Sequence, residues 1–223
     1  MPAAGFGNRL GLDRPKALAV IAGKPLMIWT LERFLSLGLT EGSVIVCPKG
    51  FEDAFEALLN DWFRGMRFIV IVGGDVRQES VAKGLACLSE DTDIVVIHDA
   101  ARPFVTEESI TASIVAAEAD GAATVAIPCI DTILEADKDS YLAATPLREA
   151  LWACQTPQTF QTRVIREAHA WAAREGYTGT DDASLVRAMG GRVKLVPGAP
   201  LNFKVTTATD LALAEYVIRG GLV

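Results

Sequence analysis

Four polar segments of the chain carry the residue types that could hold and activate anionic substrates. The first is Pro2-Ala3-Ala4-Gly5-Phe6-Gly7-Asn8-Arg9, followed by Pro15-Lys16. Its small residues let backbone N–H groups approach phosphate oxygens closely. Arg9 and Lys16 would add fixed positive charge where a triphosphate needs it. The segment is neither the GxGxxG dinucleotide fingerprint nor a GxxxxGK[ST] phosphate loop. On these residues alone, a turn with two solvated cations explains it equally well. The second is Gly73-Gly74-Asp75-Val76-Arg77-Gln78-Glu79-Ser80. Here paired glycines permit tight backbone geometry, and Asp75 and Ser80 offer hydrogen-bonding groups to a base or ribose; a plain Gly-Gly-Asp turn is the competing reading.

The third segment, His98-Asp99-Ala100-Ala101-Arg102-Pro103, is the sharpest. An apolar run delivers a carboxylate and a guanidinium together, with two alanines leaving room beside them. Asp99 could hold a metal-bound water or substrate hydroxyls, and Arg102 could grip a phosphate. A simple Asp99–Arg102 ion pair, common on surfaces and worth little, is the bland alternative. His98 reads as a structural residue near a strand end rather than a general base. The fourth segment is Asn202-Phe203-Lys204-Val205-Thr206. A lysine alternating with apolar neighbours is costly to bury without an anion, though an edge-strand lysine facing water fits the same pattern.

These segments need a scaffold, and the apolar pattern supplies one. Val44–Pro48, Phe68–Val72 and Ile94–His98 are short β-branched runs without alternation, as expected of strands buried on both faces. Helical stretches lie between them at Pro25–Leu39, Glu52–Phe63 and Glu79–Leu88, and another begins near Thr106. The rhythm predicts an α/β fold: an open, mostly parallel sheet with helices on both faces. A further strand is expected at Thr124–Pro128, with helices near Arg163–Arg174 and Asp181–Met189. Asn202–Thr206 reads as a last strand feeding a C-terminal helix. Ligands of such sheets bind at the carboxyl ends of the strands, where the second and third segments fall. Asp131–Leu142 breaks the rhythm and reads as a hairpin with a polar turn at Ala136–Ser140, sized for an arm that packs on another subunit. No linker, repeat or low-complexity stretch divides the chain.

At 223 residues, half hydrophobic and 22% charged, the composition is that of a globular protein with a sizeable core. The formal charge of −7 gives no electrostatic reason to expect a nucleic-acid partner. No stretch approaches the roughly 18 apolar residues a membrane span needs, and MPAAGFGNRL lacks a secretory pattern. Four scattered cysteines and two histidines fit neither a zinc site nor a disulfide framework. A reduced, cytoplasmic protein is therefore expected.

In this order and spacing, PAAGFGNRL with PK, GGDVRQES, HDAARPF, DTI, TPLREALWACQTPQTF, TDDAS and NFKVTTATDLALAE resemble one family over essentially the whole chain. It is the 2-C-methyl-D-erythritol 4-phosphate cytidylyltransferase family. HDAARPF, TPQTF and KVTTATDL together are specific, whereas the opening loop is shared with many sugar-phosphate nucleotidyltransferases. The resemblance implies a Rossmann-like nucleotidyltransferase fold, one domain over 1–223, with a dimerisation arm at about 131–148. It implies that CTP and methylerythritol phosphate give CDP-methylerythritol and pyrophosphate, a step of non-mevalonate isoprenoid synthesis. Ala3, Ala4 and Gly5 would then line cytidine and phosphates, with Gly74, Asp75 and Ser80 at base and ribose. Arg9 and Lys16 would face the triphosphate, with Lys204 at the α-phosphate. Asp99, Arg102 and Thr180 would hold the sugar-alcohol phosphate, and Thr132 and Arg148 would reach a neighbour's substrate across a homodimer. Mg²⁺ would be held mainly by the nucleotide, with no dedicated protein ligands.

The family carries an apolar strand ahead of its first loop, where this chain has only Met1; a start misassigned within a Val-Pro-Ala-Ala-Gly stretch is the expectation. Ala17 stands where the family usually has glutamine, and Ile130 where a basic residue is common. The latter keeps ribitol 5-phosphate cytidylyltransferase as an alternative, although that relative tends to read AGG and HDAVRPF. A non-catalytic nucleotide-binding homologue is the other alternative.

Overall fold

The computed structural model describes residues 1–7, 10–11, 13–39 and 42–222. A small antiparallel hairpin, β1 (Val20–Ile21) and β2 (Lys24–Pro25), leads into α1 (Leu26–Leu35). The chain then alternates through β3 (Ser43–Cys47), α2 (Glu52–Trp62), β4 (Phe68–Val72), α3 (Arg77–Ala86), β5 (Ile94–Ile97), α4 (Glu107–Asp120) and β6 (Ala122–Pro128). The arm follows, with β7 (Glu135–Ala136) and β8 (Leu142–Ala144). The second half adds β9 (Trp152–Gln161), α5 (Thr162–Glu175), α6 (Asp182–Ala188), β10 (Lys194–Pro197) and α7 (Ala208–Arg219).

Local chemistry sets the helix ends. Thr106 caps α4 by accepting from Ser109 N, and Glu107 and Glu108 sit at the positive end of the helix dipole. Gly121, at φ 86°, ends α4 in the left-handed conformation and turns the chain directly into β6. Asp181 and Ser184 form a reciprocal capping box on α6, as Thr207 and Asp210 do on α7.

The strands form two sheet pieces. β3 and β4 pair in parallel, and a four-stranded piece runs β10-β6-β9-β5. β10 is parallel to β6, but β9 is antiparallel to both of its neighbours. β5, β6 and β10 therefore share one direction, as β3 and β4 do, so the expected open, mostly parallel α/β sheet is present, with β9 running against its neighbours. The antiparallel element enters because β9 follows the arm, whose return reverses the chain without a helical crossover. Residues 1–3 join the two pieces: Val46 N donates to Met1 O at 3.0 Å, Ala3 N to Val46 O at 2.8 Å, and Ala100 N to Pro2 O at 3.3 Å.

Consecutive residues of β6 point to opposite faces, as strand geometry requires. Ala122 packs with Ile97, Phe160, Leu85, Ile165 and Leu185, so α3, α5 and α6 cover one face. Ala123 and Val125 pack against Ala117 of α4 and Val196 on the other. Met27, Leu31, Phe55 and Leu59 bring α1 and α2 onto Ile45 and Cys47 of β3. Each fully buried Val, Leu, Ile, Phe or Met side chain among these contributes about 1.5–3 kcal/mol. The arm contributes none of this, because residues 130–145 are all exposed.

The expected strand at Asn202–Thr206 is not formed. That segment is irregular, and its ordering bonds are individual ones: Asn202 Nδ2 to Thr156 O at 2.8 Å and Val205 N to Ala101 O at 2.8 Å.

Candidate active site

A cavity of about 220 Å³ opens beyond the carboxyl ends of β4 and β5, where the residues that follow those strands converge with residues 2–5. Its walls include Ala3, Ala4, Gly5, Lys16, Gly74, Asp75, Ser80, Asp99 and Lys204. Nine residues scattered from position 3 to position 204 therefore meet in one place. Lys16 N donates to Gly5 O at 3.1 Å, which draws the Pro15-Lys16 turn against the first loop. In the second loop, Gly74 N donates to Ser80 Oγ at 3.1 Å and Asp75 N to Glu79 Oε2 at 2.9 Å. The paired glycines answer a packing need here. A Cβ on Gly73 would lie 2.8 Å from Ser80 Oγ and 3.0 Å from Ala4 Cβ, and one on Gly74 would collide with Glu79.

Asp99 is the electrostatic centre of the cavity's deeper wall, 7% exposed. Lys204 Nζ stands 2.7 Å from one carboxylate oxygen and Arg77 Nε 3.4 Å from the other. Arg102 Nε is farther, at 4.0 Å, so the simple Asp99–Arg102 pair weighed as the bland alternative is not the dominant contact. Burial alone would raise the Asp99 pKa; Lys204, then Arg77 and Arg102, outweigh it and hold the carboxyl well below its usual range. Arg102 is fixed by Nη1 to Asn202 O at 2.7 Å, while its buried Nε has no hydrogen-bond partner. Lys204 owes its place to the pinning of the Asn202–Val205 segment, not to a ladder.

His98 supports this turn from behind. Asp99 N donates to Thr156 Oγ1 at 3.2 Å, and Thr156 Oγ1 lies 3.0 Å from His98 Nδ1. With its hydroxyl proton directed at Nδ1, the hydroxyl leaves Nε2–H to donate to Arg102 O at 3.0 Å. Burial lowers the His98 pKa from 6.5 to about 4, the hydrogen bond to Arg102 O opposing it. The unfolded chain takes up a proton below pH 6.5 and the folded chain does not until about pH 4. Stability contributed by neutral His98 is therefore lost as pH falls through that window, by about 3 kcal/mol in all. Wild-type melting temperature should fall more steeply from pH 7 to 5 than that of His98→Gln; parallel profiles would refute the assignment.

The remaining expected residues are placed differently. Thr180 is exposed on the loop before α6, next to Asp181, whose Oδ2 accepts from Gln158 Nε2 at 2.8 Å and Cys154 Sγ at 3.1 Å. Thr132 and Arg148 lie on the arm, away from the cavity walls, with Arg148 Nη1 donating to Ile130 O at 3.2 Å. Arg9 lies outside the described residues. Sequence reasoning missed Arg77, which lines the cavity between Asp99 and Asp182. Its only signal was an arginine at the start of a helix following a glycine pair. All four cysteines are free thiols, and no helix among the described residues is long and apolar enough to cross a membrane.

A family model described as 2-C-methyl-D-erythritol 4-phosphate cytidylyltransferase matches residues 1–220. A protein of that name from Syntrophus aciditrophicus is 40% identical over 224 residues, covering 98% of this chain and 94% of its own. One from Caldanaerobacter subterraneus is 41% identical over 218 residues, covering 97% and 96%. Among solved structures, 4-diphosphocytidyl-2C-methyl-D-erythritol synthase from Anaerococcus prevotii superposes with a TM-score of 0.86 at 27% identity, over 98% and 95% of the two chains. The cytidylyltransferase from Thermus thermophilus gives 0.80 at 37% identity, over 97% and 96%. With the whole-chain match and the loops that build the cavity in agreement, the chain belongs to the 2-C-methyl-D-erythritol 4-phosphate cytidylyltransferase family.

Proposed function

We propose that the protein transfers the cytidylyl group of CTP to 2-C-methyl-D-erythritol 4-phosphate, giving CDP-methylerythritol and pyrophosphate. The observation that carries this reading is the convergence, in one cavity, of a close-packed Gly73-Gly74 loop with Lys16, Asp99 and Lys204. A phosphate oxygen of the sugar alcohol attacks the α-phosphorus in line. The new P–O bond forms as the bond to the β-phosphate bridging oxygen breaks, and pyrophosphate leaves with that electron pair. The attacking oxygen is already anionic near neutral pH, so no strong general base is needed. Rate comes from holding two mutually repelling anions in register and from preorganised positive charge.

In this reading Ala3, Ala4, Gly5, Gly74, Asp75 and Ser80 receive the nucleotide, and Lys16, with Arg9 by family resemblance, faces the triphosphate. Lys204 serves the α-phosphate. Asp99, Arg102 and Thr180 hold the sugar-alcohol phosphate; the unpartnered Arg102 Nε supports that role. Among the described residues no group of three or more His, Cys, Asp or Glu is placed to hold a metal, and Asp99 is taken by Lys204 and Arg77. Mg²⁺ or another divalent cation would arrive on the CTP phosphates, where it would supply further positive charge.

The arm at about 131–148 extends from a single nucleotidyltransferase domain spanning residues 1–223 and joins two copies into a homodimer. Ile130, Leu134, Tyr141, Leu142 and Leu147 are exposed along it, an apolar surface of the kind that interfaces cover. Thr132 and Arg148 then reach the other copy's substrate. Sedimentation should give a dimer that Leu147→Asp dissociates; a wild-type monomer would remove this part. A cytoplasmic setting fits the four free thiols, and a net charge of −7 suits small substrates rather than nucleic acid.

The test is pyrophosphate release from CTP and Mg²⁺. Release with methylerythritol phosphate and not with ribitol 5-phosphate is expected. Release only with ribitol 5-phosphate would overturn the substrate, and CTP binding without release would overturn the enzyme.

A further inference from the structure

We propose that Arg77 is a positioning residue for this reaction, bridging two buried carboxylates so that Asp99 stays oriented and ionised when phosphates draw away its other cations. The inference rests on the substrate reading above. Arg77 is the first residue of α3, immediately beyond the Gly-rich loop. Its Nη1 donates to Asp182 Oδ2 at 2.7 Å, and its Nε to Asp99 Oδ1 at 3.4 Å.

One end of that fork is firmly held. Asp182 is 1% exposed; its Oδ1 lies 3.1 Å from His169 Nε2, and its backbone N donates to Gln158 Oε1 at 3.0 Å. Gln158 is a fully buried residue of β9, so Asp182 is tied to the sheet and to α5 as well as to Arg77. The neighbouring Gln78 grips the same loop, accepting from Gly179 N at 3.0 Å and donating to Tyr177 O at 3.1 Å. The first turn of α3 therefore fastens the nucleotide side of the cavity to the loop that carries Thr180 and to Asp99.

The three cations around Asp99 are not equivalent. The Lys204 side chain is 38% exposed and sits on an irregular segment, free to turn toward a phosphate. Arg102 is 4.0 Å away and has an unsatisfied Nε. Arg77 alone has both arms of its guanidinium on carboxylates, which makes it the partner that remains. A lysine presents one point charge and cannot span two acids in this way.

The experiment compares Arg77→Met, Arg77→Lys and Asp182→Asn in the full chain, after wild-type turnover with methylerythritol phosphate is established. That first step separates failure of the functional reading from failure of this one. Arg77→Met should raise KM for methylerythritol phosphate about 10- to 100-fold, the loss of a charged hydrogen bond. CTP affinity, measured by calorimetry independently of turnover, should stay within about threefold, less than the loss of one such bond. Arg77→Lys should not rescue. Asp182→Asn should shift the same constant, and adding it to Arg77→Met should have little further effect, since both changes cut one linkage. Should Arg77→Met fail to fold, Arg77→Lys carries the same comparison with its charge intact. A rise confined to CTP would make Arg77 a nucleotide contact and overturn the proposal. Equal losses for both substrates that track melting temperature would reduce it to a structural residue, and unchanged constants would remove it altogether.

Discussion

Lys204→Ala is expected to lower kcat for cytidylyl transfer by about 10²–10³-fold, the range found when one preorganised charge-stabilising donor is removed from a transition state. Little of the loss should come from folding. Lys204 is paired with Asp99 at 2.7 Å, but its side chain is 38% exposed, and such pairs are worth about 0–1 kcal/mol. For a chain of this length that corresponds to less than about 4 °C in melting temperature. Asp99 would keep Arg77 at 3.4 Å and Arg102 at 4.0 Å, so its carboxylate is not orphaned. Steady-state kinetics and thermal unfolding of the same preparation read both effects. A loss of activity matched by a comparable loss of stability, or a loss below about tenfold, would contradict the assignment of Lys204 to the α-phosphate.

Asp99→Asn should behave in the opposite way, harming fold and function together. The substitution removes the anion shared by Lys204, Arg77 and Arg102, leaving Arg77 on Asp182 alone and the mostly buried Arg102 without a counter-charge. Breaking a buried ion cluster by deleting one partner costs about 3–5 kcal/mol, or roughly 6–20 °C in melting temperature at this size. Transfer activity should fall to background, because the amide can neither orient Lys204 nor accept from substrate hydroxyls as a carboxylate does. The pH dependence gives a second reading with a definite sign. The folded-state pKa of Asp99 is depressed by its cations, so its contribution is fully present above the ordinary carboxylate value and fades as pH falls below about 4. The stability gap between wild type and Asp99→Asn, measured by denaturant unfolding, should therefore be widest near neutrality and close in acid. A gap independent of pH would mean that shape, not charge, sets the cost.

Several elements were legible because their signal is local. Phe68–Val72 appears at its predicted bounds, and Ser43–Cys47 and Ile94–Ile97 within one residue, because β-branched runs flanked by loops have few other conformations to adopt. Thr106 and Asp181 announce helix starts through caps that close within three residues. The hairpin of the arm is written in its own turn, where Asp137 Oδ1 accepts from the N–H groups of Asp139 and Tyr141.

β9 was not legible. Gln155, Thr156, Gln158 and Thr159 are each no more than 5% exposed, and such a run reads as surface by composition. They are buried because partners far along the chain satisfy them: Asn202 for Gln155, His98 for Thr156, Asp181 for Gln158 and Ser113 for Thr159. Asn202–Thr206 failed in the reverse direction, since its alternation mimics a strand while its actual bonds go to β9 and to Ala101.

By itself the sequence determined the α/β rhythm, the four polar segments, the exposed hairpin and the family, all properties of residues near one another or of motif order. Tertiary structure decided which of those segments share a cavity, that Lys204 rather than Arg102 is the near partner of Asp99, and that Arg77 joins Asp99 to Asp182. Those contacts span 105, 22 and 105 residues. No local propensity encodes them, because a charge declares its partner only when packing removes the water that would otherwise solvate it.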